Sequence, residues 1–172
     1  AAELKATGRA EARHLDEVTV LFTDLKGFTE ISEQLSPADL VAELDTCFRA
    51  FDTIVAEHQV EKIKTIGDAY MAAGGVPEAR KDSAADTVHA ALAMQRFMEE
   101  RYRERTALGL PAFRMRVGCH SGPVVAGIVG SRKFQYDIWG DTVNTASRME
   151  SSGEVGKVNI SGATLTLLRE RS

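Results

Sequence analysis

Two aspartates stand where apolar runs stop. Asp24 closes the run Val18-Thr19-Val20-Leu21-Phe22-Thr23, ahead of Leu25-Lys26-Gly27-Phe28-Thr29. Asp68 follows VEKIKTIG (60–67) and precedes AYMAAGGV (69–76). A carboxylate in such a place has three uses. It caps the next helix, it turns the chain as half of a Gly-Asp pair, or it holds a metal. Two carboxylates brought together suit a hard divalent cation, Mg²⁺ or Mn²⁺. Two such ions clamp the attacking and leaving oxygens of a phosphoryl transfer. Beside Asp24, the turn Gly27-Phe28-Thr29 offers backbone N–H groups at a helix start, which favours phosphate. A glycine there lets the backbone approach closely. Neither a dinucleotide fingerprint nor a Walker loop is present, and GEVGKV (153–158) lacks the Walker spacing. The residues alone point to metal-dependent phosphoryl or nucleotidyl transfer.

The elements that position these residues read as β-α-β-β-α-β followed by β-α-β-α. The β-branched run 18–23 is a buried strand. Ser36-Pro37-Ala38-Asp39 starts a helix with a serine cap and proline at its first position. Leu40, Leu44, Cys47, Phe48, Phe51, Ile54 and Val55 form its apolar stripe. Residues 60–76 make a hairpin turning at Gly67-Asp68. A second helix runs from Ser83 to Thr106, with Val88, Ala91, Leu92, Gln95, Met98 and Tyr102 on its inner side and a solvated distal part, MEERYRERT. FRMRVGCHSGPVVAGIVG (113–130) reads as strand, Ser-Gly-Pro turn, strand. FQYDIWG is a short strand carrying Asp137. Asp141 caps a helix ending at Gly153, on which Asn144 and Arg148 share a face. Residues 155–161 form a further strand, and ATLTLLRERS a last amphipathic segment. This is an α+β, ferredoxin-like plan with a C-terminal extension. In it the first strand and the hairpin are neighbours, which brings Asp24 beside Asp68.

At 172 residues the chain makes one domain with a core of useful size. Its net charge of −4 argues against nucleic-acid binding as the main task. No apolar run approaches membrane-span length. Cys47 and Cys119 read as buried thiols, and His14, His58, His89 and His120 lack metal-ligand spacing. Residues 1–16, Ala-rich and charged, read as the end of an upstream connector, with the domain proper from 17 to 172.

VTVLFTDLKGFTEIS, VEKIKTIGDAYMAAGG, HSGPVVAGIVG and QYDIWGDTVNTASRMESSG resemble, in order, the catalytic domain of class III adenylyl/guanylyl cyclases. The resemblance implies that fold and a head-to-tail homodimer with two composite sites. Asp24, Asp68 and the Leu25 carbonyl match the ligands of two divalent cations. Gly27, Phe28 and Thr29 match the turn for the terminal phosphates, with Arg132 as a further phosphate contact. From the other subunit, Lys64 and Asp137 match the base-reading pair. Asn144 matches the residue that orients the ribose, and Arg148 the one that stabilises charge on the α-phosphate. Guanylyl members carry Glu and Cys at the base-reading positions, so Lys64 and Asp137 imply ATP. The full set argues against a non-catalytic dimerisation or regulatory module, and no motif positions a water for a phosphohydrolase. The resemblance also implies a cytoplasmic catalytic domain, with room for an upstream sensor or membrane part. Members continue with a hairpin carrying a phosphate-binding lysine, and this sequence ends at Ser172, before that hairpin.

Overall fold

The computed structural model describes residues 12–170. The elements are β1 (Arg13–Lys26), α1 (Phe28–Ser32), α2 (Pro37–Glu57), β2 (Glu61–Ile66), β3 (Ala69–Gly74), α3 (Ser83–Ala107), β4 (Arg114–Val129), β5 (Gln135–Trp139), α4 (Asp141–Ser151), β6 (Val158–Ile160) and α5 (Gly162–Glu170). The sheet order is β2-β3-β1-β4-β5, with β6 pairing β4 in parallel. This is the α+β plan expected, a ferredoxin-like core extended at its C-terminal end.

Each face of the sheet buries its own core. On one face, Leu21 and Leu25 of β1, Tyr70 and Ala72 of β3, and Met115, Val117 and Cys119 of β4 pack under α2 and α3. On the other, Val18, Val20 and Phe22 join Ile63, Met71, Val124 and Ile138 beneath Ala146 of α4. The period-two alternation of a strand sends Leu21 one way and Val20 the other. Helix α2 starts as its sequence demands, with Ser36 Oγ accepting from the Asp39 N–H at 3.1 Å and Pro37 at the first position.

Four details differ from the sequence reading. Strand β1 begins at Arg13, inside the expected connector, because Arg13, His14 and Leu15 pair with Ala126, Val125 and Val124. Residues 1–11 of that connector lie outside the described residues. Residues 114–129 form one strand rather than two around a turn. Pro123, which has no N–H to give, lies opposite the β1 irregularity between Leu15 and Val18, where the ladder needs none. Helix α3 buries Ala84, Thr87, Ala91, Met94, Gln95 and Met98, while Leu92 is 42% exposed and Val88 and Tyr102 are half-buried. Alanines and the two methionines Met94 and Met98 face the sheet, while Val88, Leu92 and Tyr102 flank the contact. Finally, Gly140 takes the N-terminal cap position of α4, and Asp141 is the first helical residue.

Candidate active site

The β1–α1 corner is built by a backbone position that favours glycine. Gly27 has φ 65°, and a Cβ added there would meet only Glu30, at 3.6 Å. The space over the turn is therefore open. Asp24 lies near the end of β1, and Asp68 in the β2–β3 turn beside Gly67, whose φ is 59°. Pairing of β1 with β3 brings them together, and the Leu25 N–H donates to Asp68 Oδ2 at 3.2 Å.

This corner holds more charge than the sequence reading assembled. Arg116, on β4 opposite Asp24, donates through Nε to Glu150 Oε2 at 3.1 Å and stands 3.7 Å from Asp24. Burial, then the hydrogen bond and negative charge of Asp68, then Glu150, push the Asp24 carboxyl up to about 7, with Arg116 opposing. Burial likewise raises Glu150, against its bond with Arg116. Two carboxyl groups in contact must share a proton or take a cation between them, and the single nearby guanidinium is engaged mainly with Glu150. Oxygen donors without thiol or imidazole suit Mg²⁺ or Mn²⁺. Among the described residues no cluster of three or more His, Cys, Asp or Glu is poised for a metal. Two carboxylates alone would leave most of a cation's shell to other oxygens, as Mg²⁺ commonly accepts.

A second group joins β2 to β5. Lys64 Nζ donates to Asp137 Oδ2 at 2.7 Å, and Asp137 is 7% exposed. These residues are 73 positions apart and sit on strands that are not ladder partners. Gln135 Nε2 explains the approach: it donates to the Ile63 carbonyl at 2.7 Å, tying β5 to β2. The Ile138 N–H donates to Asp137 Oδ1 at 2.8 Å and fixes the carboxylate.

The third group is on α4. Asn144 and Arg148 are exposed, and Arg148 donates to Thr145 Oγ1 at 3.0 Å, with Asp141 3.9 Å away. Among the described residues, no hydrogen bond or ion pair joins the three groups to one another. Arg132 is exposed in the bend between β4 and β5.

The chain matches the family described as the adenylate and guanylate cyclase catalytic domain over residues 10–172. The chain belongs to that family of class III cyclases. The cyclase domain is 48% identical over 145 residues to the adenylate cyclase of Mycobacterium tuberculosis, covering 84% of this chain and 32% of the relative. It is 42% identical over 167 residues to human guanylyl cyclase C, covering 96% of this chain and 15% of that protein. The domain thus spans about a third or less of the length of these relatives. Among solved structures, the adenylyl cyclase CyaB from P. aeruginosa superposes with a TM-score of 0.86 at 30% identity, covering 93% of this chain and 83% of that one. The catalytic core of a rhodopsin-guanylyl cyclase with converted specificity, in complex with ATPalphaS, gives 0.85 at 38% identity, covering 94% and 85%.

Of the residues singled out from sequence, the domain brings Asp24 to Asp68 and Lys64 to Asp137. It leaves Asn144, Arg148 and Arg132 at the surface. Arg116, Glu150 and Gln135 went unrecognised. Arg116 alternates with Arg114 on β4, a pattern that reads as a solvent face, and only the strand register places it opposite Asp24.

Proposed function

We propose that this cyclase domain converts ATP to 3′,5′-cyclic AMP and pyrophosphate at composite sites in a head-to-tail homodimer. The observation that carries the reading is the Lys64–Asp137 pair, held at 2.7 Å. Adenine presents an acceptor at N1 and a donor at its 6-amino group. A lysine donates to the first and an aspartate accepts from the second; guanine reverses both. The mycobacterial adenylate cyclase supports the same choice.

Asp24 and Asp68, with the Leu25 carbonyl, are the residues that hold two divalent cations, Mg²⁺ or Mn²⁺. When bound, these ions supply Lewis-acid activation of the ribose 3′-hydroxyl and neutralisation of phosphate charge. Until they arrive, Arg116 offsets the carboxylate pair. The Gly27–Thr29 turn receives the terminal phosphates, with Arg132 as a further contact. From the second subunit, Lys64 and Asp137 read the base, Asn144 orients the ribose, and Arg148 opposes charge on the α-phosphoryl oxygens. The O3′–Pα bond forms as the bond from Pα to the bridging oxygen breaks, pyrophosphate leaves with that electron pair, and the 3′-hydroxyl proton passes through solvent to the pyrophosphate.

A guanylyl cyclase is the second reading, favoured by the likeness to guanylyl cyclase C. Incubation with ATP or GTP and Mn²⁺, with products separated by chromatography, decides. Cyclic AMP in preference to cyclic GMP is expected. Preferential cyclic GMP overturns the base assignment, and linear AMP or ADP alone overturns cyclisation.

A further inference from the structure

Helix α1 has little to hold it. It is five residues long, buries no residue fully and has no side-chain cap. Phe28 and Ile31 pack against the core from one side, and the Phe28 ring stacks on Phe113 with centroids 5.6 Å apart and planes at 19°. Phe113 itself is 3% exposed. It directly precedes β4, whose first residue, Arg114, pairs with Lys26. The ladder therefore carries Phe113 past the last residue of β1 and under the turn that follows Asp24.

Phe113 is fixed from behind. Arg105, in the last turn of α3, donates through Nε to the Pro111 carbonyl at 2.7 Å. The same guanidinium reaches Glu43 Oε1 of α2 at 3.2 Å. Arg101 grips Glu43 through two further bonds, at 2.6 Å and 2.5 Å. Glu43 is 4% exposed, so the carboxylate is desolvated and this cation pair holds it in one place. Contacts thus run from Glu43 through Arg105 to the Pro111 carbonyl, two residues ahead of Phe113, whose ring stacks on Phe28.

We infer that Phe113 is a positioning residue for the cyclase reaction: by stacking on Phe28 it sets the backbone of the turn 27–29 against the pyrophosphoryl end of the nucleotide. The inference rests on the reading of that turn as the phosphate site. The effect belongs to the phosphates and not to the base, whose partners Lys64 and Asp137 lie on β2 and β5.

The test uses the domain with Mn²⁺ and two inhibitors, the product pyrophosphate and the nucleoside adenosine, which carries base and ribose without phosphate. Phe113→Leu is expected to weaken pyrophosphate inhibition and raise the KM for ATP by roughly threefold to tenfold, the range of a lost aromatic pair. Adenosine inhibition stays within about twofold, which a general loss of structure would not allow. Phe113→Tyr, which keeps the ring, retains pyrophosphate inhibition. In a Phe28→Leu background, Phe113→Leu adds nothing further, because the two rings act as one contact. Equal weakening toward both probes, or full additivity of the two substitutions, overturns the inference. If Phe113→Leu does not fold, Phe28→Leu gives the same reading, and its failure to separate the probes counts against it. Failure of the underlying phosphate reading looks different: Gly27→Ala then also leaves pyrophosphate inhibition unchanged.

Discussion

At the scale of single residues, the proposed role of Lys64 and Asp137 requires a base to enter the pair. Each satisfies the other across 2.7 Å, so the purine has to match both groups to repay what it displaces. Replacing only one leaves the other facing the wrong edge of either base. Lys64→Ala alone is expected to lower kcat/KM for ATP about 100-fold, since a site built to hydrogen-bond discriminates strongly. The combination of Lys64→Glu with Asp137→Cys is expected to favour GTP over ATP. Kinetics with both nucleotides check this, and retained ATP preference in the double variant counts against the pair as base readers. Asp24 and Asp68 were visible in the sequence because each ends an apolar run, although a helix cap or a Gly-Asp turn explained them nearly as well until the topology brought the two together. Glu43 was not, because a carboxylate inside the α2 stripe reads as a break in it. Only the arginines of α3, 58 positions away for Arg101, show why it is buried. The thiols are legible at this scale too. Burial pushes Cys47 and Cys119 up to about 12, so neither is expected to react with a maleimide at pH 7.5 until the protein is unfolded in denaturant.

At the scale of elements, the contact between β4 and α4 decides where Asn144 and Arg148 stand. Gly118 and Gly122 are the notches that admit the helix. A Cβ at Gly118 would lie 2.0 Å from the backbone N of Glu150, and one at Gly122 would lie 2.6 Å from Thr142 Oγ1. Backbone cannot swing aside as a side chain can. Gly118→Ala is therefore expected to cost about 3 kcal/mol of stability and to lower activity by displacing α4; thermal unfolding and cyclase assays read both. The sequence alone does not single out either notch, because a glycine in a strand-like run marks a bulge or a close approach without naming the partner. The opposite error occurred at Ser121-Gly122-Pro123, where turn-forming residues suggested a turn and the β1 irregularity lets the strand continue. His120, between the two notches, links β4 to the start of α5, with Nδ1 2.7 Å from Ser161 Oγ. Desolvation lowers its pKa from the ordinary value of 6.5, with Asp141 opposing and Arg148 reinforcing. A histidine lowered in the folded state binds more protons when unfolded. Its contribution to stability is complete above the unfolded value and is lost as pH falls toward the folded one. Melting temperature should fall between pH 7 and pH 5 more steeply in wild type than in His120→Gln; parallel profiles would show that His120 carries none of it.

At the scale of the whole molecule, the three groups of proposed site residues stay apart within one chain. The carboxylate corner contacts Arg116 and Glu150, the Lys64–Asp137 pair contacts itself and Ile138, and Arg148 is 66% exposed, its guanidinium bonded to Thr145 and 3.9 Å from Asp141. An arginine that opposes charge in a reaction is worth most where water is excluded, so an exposed Arg148 is poorly placed unless something covers it. Trp139 and Val125, paired across β5 and β4, are 42% and 40% exposed, and Val129 lies further along the same strand at 47%. Such an apolar face, close to the buried Asp137, marks a surface for association. The proposed two-fold homodimer meets both needs, because a two-fold axis brings the same two patches together twice. It also makes a quantitative expectation. Asp24→Ala and Arg148→Ala should each be nearly inactive. Mixed in equal amounts, half of the dimers are heterodimers, and each contains one site built from the two intact halves. Activity should recover to about a quarter of wild type, and should follow the product of the two mole fractions as their ratio is varied. Native mass spectrometry establishes that the heterodimer forms. Heterodimers without recovered activity would place all the functional groups of a site in one chain.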